Sequence, residues 1–151
     1  LGPLIPKRYR PVKAEAIAPY NKGVDLLEAK NYAKAREQIE AALKVSEEFP
    51  EAHNNLAFAL RMLSPDNAEA SLVHYKRALE LEPKFAQALY YRGTLFVQID
   101  RAADAEKDRA ALAAIDSDEA KTYAAELAKI IKAGKATKKQ DALSVYGNLA
   151  Q

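Results

Sequence analysis

The sequence contains no cysteine, and only five glycines, two histidines and one methionine occur in its 151 residues. Without thiols there is no disulfide, no cysteine-ligated zinc or iron–sulfur centre and no thiol nucleophile. The redox compartment stays open, because a chain without thiols is indifferent to it. Five scattered glycines cannot build a phosphate-cradling loop, and no HExxH pattern is present. No apolar run approaches the roughly 20 residues needed to cross a bilayer. The lysines lack the interleaved aromatics of a nucleic-acid reader, which disfavours nucleic acid as a partner. These absences predict a non-enzyme with neither metal nor cofactor. His53 and His74 are read as packing and surface residues.

Charge is also scarce in net terms, at +2, but it is unevenly distributed. Residues 1–13 carry +4 from Lys7, Arg8, Arg10 and Lys13, and residues 129–151 carry +4 from five lysines against Asp141. The body between them carries −6. Basic ends of this kind are ordinarily solvated; the sharper alternative is peripheral attachment to an acidic partner or membrane surface. Leu1–Pro6 is too short and too proline-broken for a secretory leader. Beginning at Leu1, the chain is expected to be a processed or trimmed product, and an earlier-removed leader would leave no trace. A soluble protein is expected, cytoplasmic or exported. With three prolines, residues 1–13 are expected to be extended.

What is abundant is alanine, 31 residues, which favours helix over strand. Self-comparison then shows a repeat. The small residues Gly23, Ala57 and Gly93 stand 34 and 36 apart. Around them the same classes return: Ala18, Ala52 and Ala88 before; Leu26, Leu60 and Phe96 after; then Ala35, Ser71 and Ala105; then Ala42, Ala78 and Leu112. Each repeat divides into two helices, the first over about 15–29, 51–63 and 85–98, the second over about 32–45, 68–81 and 102–115. Pro65 and Pro83 interrupt helices, and Asp66/Glu69 and Asp116/Glu119 have capping-box spacing. Asn31 suits a left-handed turn. Pro19 is expected in the first turn of its helix. A seventh helix over 118–133 is expected to end at a Gly134 cap. Small anchors facing Ala35, Ser71 and Ala105 permit close helix approach, while Ile39 and Tyr75 fill the remaining space. No single helix pair buries both its faces, so stacking is required.

The stretch from His53-Asn54-Asn55-Leu56-Ala57 through Ala78-Leu79-Glu80-Leu81-Glu82-Pro83, followed by Ala88-Leu89-Tyr90-Tyr91-Arg92-Gly93, resembles the tetratricopeptide repeat (TPR) family. The likeness covers about residues 16–117 and implies an all-α, TPR-type α-solenoid with a C-terminal solvating helix. The organisation expected is an N-terminal arm (1–13), a TPR-like domain (14–134, with repeats at about 16–49, 50–85 and 86–117 and a capping helix at 118–133) and a basic tail (135–151), flexible or docking. The sequence departs from the family pattern at Lys22 and Arg92, where Leu is usual, at Glu47 and Ser117, where Pro is usual, and at Arg109, where an aromatic is usual.

The resemblance further implies a concave peptide-binding groove along the first helices. Its positions fall on Tyr20, Val24, Leu27 and Glu28 in repeat one, Asn54, Asn55, Phe58, Arg61 and Met62 in repeat two, and Tyr90, Thr94, Val97 and Gln98 in repeat three. Their spacing keeps each set on one face. Helix 51–63 shows the same thing unaided: it is apolar nearly all round, so Phe58 and Met62 lie beyond the stripe that a core requires. Asn54 or Arg61 would orient a peptide backbone or carboxylate. The two-carboxylate clamp that some TPR proteins use for acidic chaperone tails wants basic residues where Gln87 and Tyr91 stand; of its positions only Asn55 fits. A protein or peptide partner with apolar or aromatic side chains is therefore expected. Two alternatives stay open: the face serves packing between repeats, or Leu4-Ile5 or Leu143, Val145, Tyr146 and Leu149 dock on a neighbouring copy and form a homo-oligomeric scaffold.

Overall fold

The computed structural model describes residues 10–149, with side chains as far as Asp141. Leu4, Ile5 and the side chains of Leu143, Val145, Tyr146 and Leu149 lie outside that range. The described residues form seven α-helices and no strand, in two compact units that divide after Pro83. The first unit holds α1 (Ala14–Glu28), α2 (Tyr32–Val45), α3 (Pro50–Leu63), one 3-10 turn (Pro65–Asn67) and α4 (Ala68–Leu81). The second holds α5 (Ala86–Gln98), α6 (Ala102–Ala113) and α7 (Asp118–Leu149).

In the first unit α1 packs on α2, α2 on α3 and α3 on α4. Gly23 is required there: a Cβ would stand 2.6 Å from Ile39 Cγ1, and Ile39 is fully buried. Ala57 and Ser71 make the equivalent approach between α3 and α4, where Ser71 Oγ donates to the Ala57 carbonyl at 2.8 Å. Ala52 and Ala88 are buried, but Ala18 is exposed and Ala16 takes its place in the core. Helix α1 begins at Ala14, earlier than Pro19 suggests. Proline in its second turn removes only the hydrogen bond to Glu15.

The second unit corrects one anchor. Gly93 makes room for α7, because a Cβ there would lie 2.4 Å from Leu127 Cδ2. α7 also runs 32 residues, well past the expected end at 133. Gly134 is therefore no C-cap. It lies inside the helix, where its missing Cβ (2.9 Å from Val97 Cγ1) lets α7 lie close to α5. The lysines at 132, 135 and 139 stand exposed on that helix, and Lys138 reaches the Asp100 carboxylate.

Several turns differ in detail from expectation. Lys30, not Asn31, has the left-handed backbone (φ 59°), and Asp100 repeats it (φ 65°). Both close helices by the same pair of hydrogen bonds: Lys30 N–H to Leu27 and Asn31 N–H to Leu26, then Asp100 N–H to Val97 and Arg101 N–H to Phe96. That is the Schellman arrangement. Asn31 instead caps α2, its Oδ1 accepting from Lys34 N–H at 3.3 Å. Ser64 and Ser117 take the capping roles expected of Asp66 and Asp116, accepting from Asp66 N–H and Ala120 N–H at 3.1 Å each. Ser64 stands two residues before Asp66, whereas Ser117 stands one residue after Asp116. Residues 10–13 lie against the α2–α3 loop: Lys13 N–H donates to Ser46 Oγ at 2.8 Å, and Arg10 N–H donates to the Glu48 carboxylate.

Candidate functional site

The first-helix face of the first unit brings α1 and α3 together. Tyr20 on α1 stacks obliquely on Phe49, ring centroids 4.6 Å apart, and its Oη accepts from Asn55 Nδ2 at 3.3 Å. Burial, with the nearby Glu51 charge, raises the Tyr20 phenol above its usual range, and the Asn55 bond opposes this in part. Phe58 meets Tyr32 edge-on at 6.2 Å. Val24, Leu27, Asn55, Phe58 and Arg61 are half-buried, and Glu28 is exposed. Met62 is 46 % exposed, although the same helix buries Leu56 and Leu60 in the core. Asn54 differs from its expected role. It is 1 % exposed, and it supports the face from beneath by donating from Nδ2 to Asn55 Oδ1 at 3.3 Å.

In the second unit the corresponding face of α5 meets α7. Tyr90 stacks on Tyr123 at 4.6 Å, Val97 stands beside Gly134, and Thr94 Oγ1 donates to the Tyr91 carbonyl at 2.8 Å. Gln98 is exposed. The long α7 thus uses part of the surface that the sequence assigns to a peptide. Tyr123 was the signal available for this contact: it is the one aromatic on an otherwise alanine-, lysine- and glutamate-rich helix up to Asp141.

Two polar pairs occupy matching positions in the two units: the histidines, expected as packing and surface residues, and Arg92–Asp108, which the sequence reading did not foresee. His74 and Asp108 both lie three residues after the small anchors Ser71 and Ala105. In the second unit, Arg92 Nε and Nη2 donate to the two Asp108 carboxylate oxygens at 2.9 and 2.6 Å. Asp108 is 2 % exposed, and burial raises its carboxyl while the Arg92 hydrogen bonds oppose the rise. The unusual Arg92 thus has a partner on α6, and its guanidinium also lies over Phe96 at 5.6 Å.

In the first unit the pair is His53 and His74, with Nδ1 atoms 3.0 Å apart. His53 Nε2–H donates to the Glu47 carbonyl at 2.7 Å, which leaves its Nδ1 as an acceptor. His74 must then donate from Nδ1 and keep a lone pair on Nε2. Burial lowers both imidazoles below their usual range, so the neutral pair is the stable one. No group of three or more His, Asp or Glu able to hold a metal occurs among the described residues. No described helix is long and apolar enough to cross a membrane.

Neither a protein-family model nor a curated protein sequence matches the chain. Solved structures do. The first TPR of Spaghetti (RPAP3) bound to an HSP90 peptide is 21 % identical with a TM-score of 0.67, covering 81 % of this chain and 95 % of that one. The Yersinia enterocolitica type III secretion chaperone SycD, in complex with a peptide of the translocator YopD, is 12 % identical with a TM-score of 0.71, covering 85 % and 99 %. PcrH in complex with the chaperone-binding region of PopD is 17 % identical with a TM-score of 0.70, covering 85 % and 98 %. At these identities the likeness is one of fold. The chain has the all-α helical-repeat fold of TPR domains.

Proposed function

We propose that the chain is a non-catalytic peptide- or protein-binding module whose partner lies on the face shared by α1 and α3, the first helices of the first unit; in TPR arrays that face is concave. The observation that carries this reading is α3. Its core side is filled by Leu56 and Leu60, yet it presents the half-buried Phe58 and the exposed Met62 on a second side. Apolar surface left beyond the needs of the core is characteristic of an interaction site. The TPR domain of Spaghetti, SycD and PcrH all hold segments of other proteins. Gln87 and Tyr91 occupy the places where a carboxylate clamp has cations, so the partner is apolar or aromatic rather than an acidic chaperone tail. The working domain comprises the seven helices, with residues 1–13 and the lysines of α7 as secondary electrostatic contacts.

Affinity capture with the intact chain, compared with Phe58→Asp and Met62→Asp, tests this. Both variants should keep the far-ultraviolet circular dichroism of the parent and lose the same captured protein. Capture unchanged in both would contradict the assignment. Sedimentation of the intact chain distinguishes the scaffold alternative, which requires a mass above that of the monomer.

A further inference from the structure

Charge separates two surfaces of the first unit. A cleft of about 750 Å³ between α2 and α4 sets Glu40, Glu47 and Glu80 against Lys44, Lys76 and Arg77, so its charge selects no occupant. The α1–α3 face is not balanced in this way. Glu51, Asn55, Phe58 and Met62 stand four, three and four residues apart, which places all four on one stripe of α3. Glu51 heads that stripe, is exposed, and forms no ion pair among the described residues. After burial, its charge is what raises the Tyr20 phenol and the half-buried Glu82 carboxyl. The stripe runs from an uncompensated anion, through an amide, to an apolar end.

The chain itself arrives at the acidic end of this stripe. Arg10 N–H donates to the Glu48 carboxylate and Lys13 N–H to Ser46 Oγ, which ties residues 10–13 to the loop leading into α3. The next residue of that loop, Phe49, stacks on Tyr20. Before the tie the sequence reads Leu4-Ile5-Pro6-Lys7-Arg8-Tyr9. Going outward from the tie, two cations come first, then a proline, then an apolar pair. That order matches the stripe. Prolines at 3 and 6 favour the polyproline II conformation, so the three or four residues from Arg8 to Ile5 and Leu4 span about 9–12 Å. The seven residues of helix from Glu51 to Phe58 rise about 10 Å. The two spacings agree.

We propose that residues 4–8 lie across the α1–α3 face of the same molecule, antiparallel to α3, and cover it until a partner displaces them. Lys7 and Arg8 meet Glu51, while Leu4 and Ile5 lie on Phe58 and Met62. The segment is a competitor tethered at Glu48, and it acts at the high effective concentration of an intramolecular ligand. The proposal rests on the α1–α3 face being the binding site. The occupant is a segment of the same molecule because the tie ends beside the face that the segment covers. The charge of Glu51 selects this cationic segment against an acidic one.

The test uses the full chain, whose lack of cysteine lets a single nitroxide be attached through Gly2→Cys. The isotopically labelled chain carrying it is followed by amide NMR. Leu27, Phe58 and Met62 should lose most of their intensity relative to the same sample with the nitroxide reduced, and α2 and α4 far less. Leu4→Ser/Ile5→Ser should restore those signals, and Glu51→Lys should restore part of them, with circular dichroism checking that the helices persist. The proposal is overturned if the broadening is uniform, falls on α2 and α4, or survives Leu4→Ser/Ile5→Ser. It is also overturned if nitroxide-free labelled chain is broadened equally when mixed with unlabelled chain carrying the nitroxide, which would put the segment on a second copy. None of these readouts needs a partner. Failure of the binding-site reading shows instead as unchanged capture by Phe58→Asp and Met62→Asp, so the two fail separately.

Discussion

The two units place a polar side chain at the same point of a second helix and satisfy it by opposite chemistry. In the first, His74 meets His53 as a neutral pair that holds one shared hydrogen and leaves one lone pair outward. In the second, Asp108 meets Arg92 as a two-pronged ion pair. Such a position tolerates a polar group when its partner comes from the facing first helix. The partner sits one residue before the anchor in one case and four before it in the other. The difference extends to the first-helix faces. The first unit leaves Met62 exposed, whereas the second applies Tyr90 and Val97 to α7. The first unit is therefore the more open to a ligand, and the second the more fully self-packed.

Breaking the ion pair should have the largest effect. Arg92→Leu restores the usual TPR residue but leaves the Asp108 carboxylate buried without its partner, and chemical denaturation should show a loss of about 3 kcal/mol or more. Arg92→Leu with Asp108→Leu should recover most of that loss; failure to recover would mean that the arginine acts mainly through its packing on Phe96. Gly93→Ala comes next, at roughly 1–3 kcal/mol, because the added methyl meets the buried Leu127 in α7. Gly134→Ala is the control: the methyl meets only Val97 Cγ1, and the gain in helix propensity of about 1 kcal/mol offsets the contact.

Lys30→Gly should stabilise by about 1 kcal/mol, since glycine adopts the left-handed C-cap without strain. Asp100→Gly should gain less, because it also removes the carboxylate that Lys138 reaches. The smallest effect separates the two units by its sign. His53 and His74 bind protons less readily folded than unfolded, so their contribution to stability is present above about pH 6.5 and is lost as the pH falls. The charged groups facing the pair are Glu40, Glu47 and Arg77. Asp108 has a raised carboxyl and works the other way, its contribution growing on acidification toward the ordinary aspartate range. Thermal melts of the His53→Leu/His74→Leu variant should lose the decline between about pH 7 and 5 that the parent shows.

Six helices were legible in the sequence because the repeat is written in residue size: Ala35, Ala42, Ala78 and Ala105 are all fully buried where the 34–36 offset places them. The seventh was legible in its start and not in its length, since a glycine past a periodic stretch reads as a cap unless the neighbouring Val97 is known. Turn chemistry was partly hidden for a similar reason. Lys30 and Asp100 take a backbone that their side chains do not advertise, while the flanking Asn31 does. The face residues on α1 and α3 were findable from family likeness and from the surplus apolar side of α3. The α2–α4 cleft was not, because it depends on where His74 and Val73 of α4 stand relative to Leu43 of α2.

The most direct test of the peptide-binding reading is site-specific photocrosslinking from the exposed edge of α3. With p-benzoylphenylalanine in place of Met62, the account predicts a discrete crosslinked partner that disappears when Phe58→Asp is added, and none with the same group in place of Lys107 on α6. Equal crosslinking from both positions, or a Met62 product that survives Phe58→Asp, would contradict it.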